Sequence, residues 1–176
     1  MLINKKFGFY FSVIFIFIIL SYLFKFSNSE NTLFLTKPVS LLLEFATNST
    51  STFTKEDGFY FQKFHIYIDK SCAGFHLWMN SFLIFSFLII SKINKNLWLF
   101  LSLFLSLIFS YSITIIINFF RIYSNLILKE LNFQIMETYP NITHQAIGYT
   151  TTITFLILIY YFTNKILNKK IYEKLS

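Results

Sequence analysis

The sequence predicts an all-α integral membrane protein with about four transmembrane helices, one interfacial helix and a short extracytoplasmic strand-like segment. Hydrophobic residues make up 55% of its 176 residues and aromatic residues 22%, and the mean hydropathy is +0.59. A soluble domain of this length could not hide so much apolar surface from water, so lipid must cover much of it. The chain has only 4 glycines and 2 prolines, which favours long helices over a barrel of short strands. We expect one membrane-embedded domain over residues 1–176.

Four apolar stretches are long enough to cross a hydrocarbon core of ~30 Å, which takes about 20 helical residues. They cover residues 7–24, 73–90, 97–120 and 145–162. A secretory signal peptide is the alternative for the first stretch. That stretch is long for a signal peptide and no Ala-x-Ala-like cleavage site follows it, so we expect an uncleaved anchor.

Two segments between the first and second spans are too short to cross the membrane. Residues 33–45 are apolar but contain Lys37, Pro38 and Glu44, which favours a helix that lies in the interface or re-enters it. After a polar stretch rich in serine and threonine, residues 59–69 alternate between apolar and polar side chains. This alternation predicts a short strand outside the bilayer.

The basic residues divide unevenly between the two sides of the predicted bundle. One side carries eight lysines and one glutamate, a net charge of +7, whereas the other carries seven basic and seven acidic residues. Positively charged loops stay in the cytoplasm, so we expect a multi-pass protein of the inner (cytoplasmic) cell membrane with the first side inside. If residues 33–45 spanned the membrane instead, the later loops would no longer match this distribution. Lysines that flank apolar runs also indicate contact with membrane lipid rather than with nucleic acid.

Three residues with catalytic potential fall at the predicted outer ends of three different spans. Cys72 precedes the second span, Arg121 follows the third and His144 precedes the fourth. A cysteine nucleophile needs thiolate character, which a nearby cation and a helix N-terminus promote, and Cys72 is expected at the start of the second helix. Histidine can exchange protons with the thiol and a leaving amine, and arginine can bind a carboxylate or a developing oxyanion. These residue types cover an acyl-transfer mechanism without a cofactor.

The cysteine and the arginine also have ordinary interpretations. A lone cysteine such as Cys72 is most often a small apolar side chain, and Arg121 could be an interfacial anchor. However, the other 14 basic residues are all lysines, which suggests that Arg121 serves as a planar fork rather than only as a charge. The two charges before the cysteine, Asp69 and Lys70, are expected to be ordinary solvated groups.

The three histidines compete for the role of proton carrier. His76 is the main rival of His144, because a spacing of four from Cys72 would put both residues on one helix face. His65 is expected to be a solvated strand residue. None of these residues forms a metal-ligand pattern, so we expect no metal.

Three short motifs resemble those of the exosortase/archaeosortase family. Residues 68–74, Ile-Asp-Lys-Ser-Cys-Ala-Gly, resemble its cysteine motif, in which Cys-Ser/Ala-Gly opens a membrane helix. Residues 118–121, Asn-Phe-Phe-Arg, resemble its arginine motif, and His144 ahead of Gly148 resembles its histidine motif. The three motifs occur in the family's order. The resemblance covers roughly residues 30–150 in outline and is specific at these few positions.

The subtype that the chain most resembles is the exosortase K type. The features it shares are the short length, the segment 33–45 with Pro38, and the approach Gly58-Phe59-Tyr60 to the cysteine.

The resemblance implies a membrane cysteine transpeptidase or protease whose catalytic set is Cys72, Arg121 and His144. It disfavours His76, where family members often carry asparagine or another polar residue. The implied substrates are exported proteins that end in a short motif, a transmembrane helix and a basic tail, and that are cut at the outer face of the membrane. Attack by Cys72 would form an acyl-enzyme, which an amine or another acceptor resolves in competition with water. A purely hydrolytic protease and a non-enzymatic membrane assembly or interaction protein remain alternatives, and the sequence does not reveal the oligomeric state.

Overall fold

A computed structural model describes residues 2–93, 96–130 and 140–175. Within these ranges, the side chains of some residues lie outside the description: 2–5, 96, 130, 140–141, 144 and 169–175. The described chain is mostly helical and includes one small sheet.

The described residues form five α-helices: α1 (Leu2–Lys25), α2 (Leu33–Thr47), α3 (Phe75–Lys92), α4 (Asn96–Glu130) and α5 (Pro140–Leu175). Three strands and one 3-10 turn lie between α2 and α3: β1 (Ser51–Thr54), β2 (Gly58–Phe61), β3 (Ile66–Ile68) and the turn Lys70–Cys72.

Within the described ranges, four helical segments are long and apolar enough to cross a membrane. They cover Lys6–Lys25, Lys70–Lys92, Leu97–Lys129 and Gln145–Asn168, so the prediction of four such helices is confirmed. α4 and α5 continue about ten residues beyond their predicted ends. The reason is that the polar residues after each apolar run include no glycine or proline to end the helix.

α2 covers the predicted short apolar segment, and it buries one face while the other face stays exposed. Leu35, Val39 and Leu43, spaced by four residues, are fully buried, and α2 contacts β2. Its opposite face leaves large apolar side chains exposed, among them Phe45, with 90% of its surface accessible. With 15 residues, α2 is too short to cross a bilayer.

The strand-like segment is a three-stranded antiparallel sheet in the order β1-β2-β3, so the all-α prediction needs this correction. The single strand predicted over residues 59–69 is two strands, because the chain turns before β3 and His65 takes a left-handed backbone with φ 53°. β1 comes from the polar stretch and pairs Ser51 with Phe61. Phe61 and Ile68 are fully buried in this layer.

The chain divides into two compact units. The first comprises Met1–Lys25, His76–Ile113 and Phe155–Ser176, and the second comprises Phe26–Phe75 and Thr114–Thr154. The core of the first unit contains Val13, Phe82, Ile90 and Leu99. The second unit contains α2, the sheet and the 3-10 turn. It also contains the C-terminal part of α4, from Thr114, and the N-terminal part of α5, up to Thr154. All three predicted catalytic residues belong to the second unit.

Candidate active site around Cys72

The 3-10 turn that carries Cys72 is capped by Asp69. The Asp69 carboxylate accepts hydrogen bonds from the backbone N–H groups of Ser71 at 3.0 Å and Cys72 at 3.3 Å, and from the Ser71 hydroxyl at 2.6 Å. Lys70 donates from Nζ to the carbonyl of Ser27 at 2.8 Å. Both charged residues are half-buried parts of the turn, so the expectation that they are ordinary solvated charge is wrong.

The sequence predicted Cys72 at the start of the following α-helix, but the residue lies in the 3-10 turn before that helix. Gly74 takes a left-handed backbone with φ 72°, and α3 begins only at Phe75. Because helical geometry is interrupted between Cys72 and His76, the spacing of four does not place them on one helix face. The exposed ring of His76 instead packs edge-on against Phe24, with the ring centroids 6.0 Å apart.

Asn118 of α4 binds the cysteine turn at a backbone carbonyl, whereas Asp69 binds backbone N–H groups. Its Nδ2 donates to the backbone carbonyl of Cys72 at 2.6 Å, and its side chain is fully buried. Gly74 makes this approach possible, because a Cβ at that position would lie 3.1 Å from Asn118 Cγ. The amide of Asn118 therefore packs directly against the backbone of the cysteine motif.

Arg121 lies one helical turn after Asn118 and on the same face of α4. Its half-buried guanidinium is close enough to the Cys72 sulfur for an attractive charge interaction. Among the described residues, its buried Nε has no hydrogen-bond partner. α5 passes beside the arginine stem, since a Cβ added to Gly148 would lie 3.9 Å from Arg121 Cδ.

His144 lies in α5, one turn before Gly148. A spacing of four puts the two residues on the same face of that helix. The side chain of His144 lies outside the described residues, so the structure places its helix segment and not its imidazole. The structure thus places Arg121 within range of a charge interaction with Cys72 and leaves the predicted contact of His144 as a prediction.

His65 lies outside any strand, in the turn between β2 and β3. Its ring is exposed, and Nδ1 is 3.1 Å from the hydroxyl of Tyr60. The prediction of a solvated side chain is confirmed, whereas the prediction of a strand position is wrong.

Burial of the Cys72 sulfur has the largest influence on its ionisation and disfavours the thiolate, and the groups around the sulfur act on a thiolate in opposing directions. The positive charge of Arg121 stabilises it. The Ser71 hydroxyl lies 3.8 Å from Sγ and 2.6 Å from Asp69, and its one proton stabilises a thiolate only when it is directed to the sulfur. The carboxylate of Asp69 opposes the thiolate. Among the described residues, no group of three histidine, cysteine or acidic side chains is arranged to hold a metal ion.

Two residues of this site were not identified from the sequence as functional. Asp69 carries a usable signal, because an aspartate two or three residues before a turn's N–H groups is a common cap. Asn118 also carries such a signal, because an amide inside an apolar helix of membrane-spanning length requires a hydrogen-bond partner.

Comparison of the chain with protein-family models, with curated proteins and with solved structures finds no match.

Proposed function

We propose that this protein is an exosortase-like membrane cysteine transpeptidase or protease. In this proposal it cleaves the C-terminal sorting signal from exported proteins at the outer face of the cytoplasmic membrane. It then transfers the cleaved proteins to an acceptor. One observation carries the proposal. The cysteine turn and the arginine turn of α4 belong to one compact unit, and Asn118 bonds the Cys72 carbonyl across 46 residues of sequence.

The proposed chemistry assigns one role to each residue. His144 accepts the proton of the Cys72 thiol, the resulting thiolate attacks a substrate carbonyl carbon, and Arg121 stabilises the oxyanion that develops on the carbonyl oxygen. His144 gives a proton to the leaving amine as the peptide bond breaks, which leaves a thioester on Cys72. An acceptor amine then attacks the thioester, forms a new amide and releases the thiol, or water releases a free carboxyl terminus.

The test follows a tagged exported protein in cells that express this chain or its Cys72→Ala variant at equal levels. The tagged probe is a protein of the same cell that ends in an apolar helix and a basic tail. We expect processing with the parent and none with Cys72→Ala, because a methyl group cannot act as a nucleophile. The product mass separates transfer, which adds an acceptor, from hydrolysis. Full processing by folded Cys72→Ala would instead support a non-enzymatic assembly role.

The outer-face location is tested with topology reporters. A reporter near Ser51 should indicate the outside, and reporters after Ser176 and between Lys92 and Asn96 should indicate the cytoplasm. A cytoplasmic signal from the Ser51 position would contradict cleavage at the outer face.

A further inference from the structure

The amide of Asn118 connects α4 to the cysteine turn at a defined point. The 2.6 Å hydrogen bond to the Cys72 carbonyl joins residues that are distant in sequence. Asn118 is fully buried, and a buried amide in an apolar helix is costly unless it is hydrogen-bonded. The Nδ2 bond therefore favours this alignment of α4 with the turn, while Oδ1 of the same amide has no hydrogen-bond partner among the described residues.

Asp69 and Asn118 constrain the turn in different ways. Asp69 is a near neighbour in sequence, and its bonds to the N–H groups of Ser71 and Cys72 order the turn internally. Asn118 bonds the outgoing carbonyl and packs on Gly74, where an added Cβ would lie 3.2 Å from Nδ2. Asn118 thus relates the turn to another helix, which Asp69 cannot do.

Arg121 follows Asn118 on the same face of α4, about 4.5 Å further along the helix axis. Because α4 is continuous from Asn96 to Glu130, the spacing between the amide and the guanidinium is set by helix geometry. Arg121 Nε has no hydrogen-bond partner among the described residues. The relation between the guanidinium and the Cys72 sulfur consequently depends on where Asn118 holds the turn.

We propose that Asn118 is a positioning residue that holds the Cys72 carbonyl so that the Cys72 sulfur faces the Arg121 guanidinium. This inference rests on the proposed function, in which the arginine acts together with the thiolate. Asn118 acts through Cys72 and needs no contact with the substrate. A purely structural role would stabilise the fold without coupling the thiol to the arginine.

Alkylation of Cys72 by iodoacetamide tests this coupling without any substrate. Cys72 is the only cysteine of the chain, so the reaction in purified, detergent-solubilised protein reports a single site. The thiolate is the reactive form, and a nearby opposite charge changes its population by about tenfold or more. We expect Asn118→Leu, which keeps a branched side chain of similar size, to lower the alkylation rate at neutral pH by about tenfold.

The matched control is Asn125→Leu on the same face of α4, two turns further on. The Asn125 amide donates to the carbonyl of Arg121 within its own helix at 2.8 Å, so the substitution leaves the cysteine turn intact. We expect its alkylation rate to stay within about twofold of the parent's. The double variant Asn118→Leu/Arg121→Gln should react no more slowly than Arg121→Gln alone, because both changes remove the same interaction.

Two results would overturn the inference. One is an alkylation rate in folded Asn118→Leu that equals or exceeds the parent's. The other is a double variant whose loss is the product of the two single losses. If Asn118→Leu does not give monodisperse protein, the smaller Asn118→Ala is measured in the same way and judged by the same two results. Normal processing by Cys72→Ala would refute the proposed function, whereas these alkylation rates would still test the coupling.

Discussion

Gly74→Ala is expected to destabilise the second unit and to disturb the cysteine turn. The left-handed backbone at φ 72° costs a residue with a Cβ about 1–2 kcal/mol. The new methyl group would also lie 3.1–3.3 Å from the atoms of the Asn118 amide. For a chain of this size, 1 kcal/mol corresponds to roughly 2–4 °C, so we expect Tm to fall by about 2–8 °C. Thermal unfolding in detergent, monitored by size-exclusion chromatography, measures this fall in Tm. The alkylation rate of Cys72 reports the disturbance of the turn.

Gly8→Ala is the matched control for this substitution. Gly8 lies within α1, and a Cβ there meets nothing within 4 Å. Because alanine favours helix over glycine by about 1 kcal/mol, we expect an unchanged or higher Tm. Gly148→Ala is a second control near the site, since its Cβ would make only an ordinary contact at 3.9 Å with Arg121. If Gly74→Ala matches both controls in Tm and in alkylation, the strain and crowding assigned to Gly74 are refuted.

Further substitutions at four positions test the other parts of the site in the tagged-substrate assay and in thermal unfolding. Arg121→Lys keeps the charge but loses the planar guanidinium, so we expect processing to fall roughly a hundredfold to a thousandfold while the protein stays inserted. This loss should nearly equal that of Arg121→Ala. A rate near the parent's would make Arg121 an interfacial anchor. His144→Ala should abolish processing while His76→Asn retains most of it, and the reverse pattern would reassign the proton carrier. Asp69→Ala removes the cap of the cysteine turn and should lower the stability by about 1 kcal/mol, with an unchanged Tm showing that the cap is dispensable.

The long apolar helices were predictable because apolar length is a local property of the chain. An uninterrupted apolar run of about 20 residues has few stable conformations other than a helix in lipid. The ends of α4 and α5 were less predictable, since the polar residues that follow the apolar runs can either fray or continue the helix. Here they continue it to Glu130 and Leu175.

The small sheet was only partly predictable because strand pairing is not a local property. The alternation over residues 59–69 continues through the turn at His65, so it resembled a single strand. β1 showed no apolar pattern of its own and is a strand because it pairs with β2. Glu44 of α2 supports this pairing, accepting hydrogen bonds from the Ser51 N–H at 2.8 Å and hydroxyl at 2.7 Å.

The sequence by itself determined the helices that are long and apolar enough to cross a membrane, and it singled out Cys72 and Arg121 by their rarity and their position at the ends of the apolar stretches. Tertiary structure alone decided that Cys72 lies on a capped turn before α3 rather than on the helix, and that Asn118 binds its carbonyl. The physical reason is the separation along the chain of the residues that interact. Hydrophobicity and helix length depend on neighbours in the chain, whereas the partner of a buried amide is chosen by packing between segments 46 residues apart.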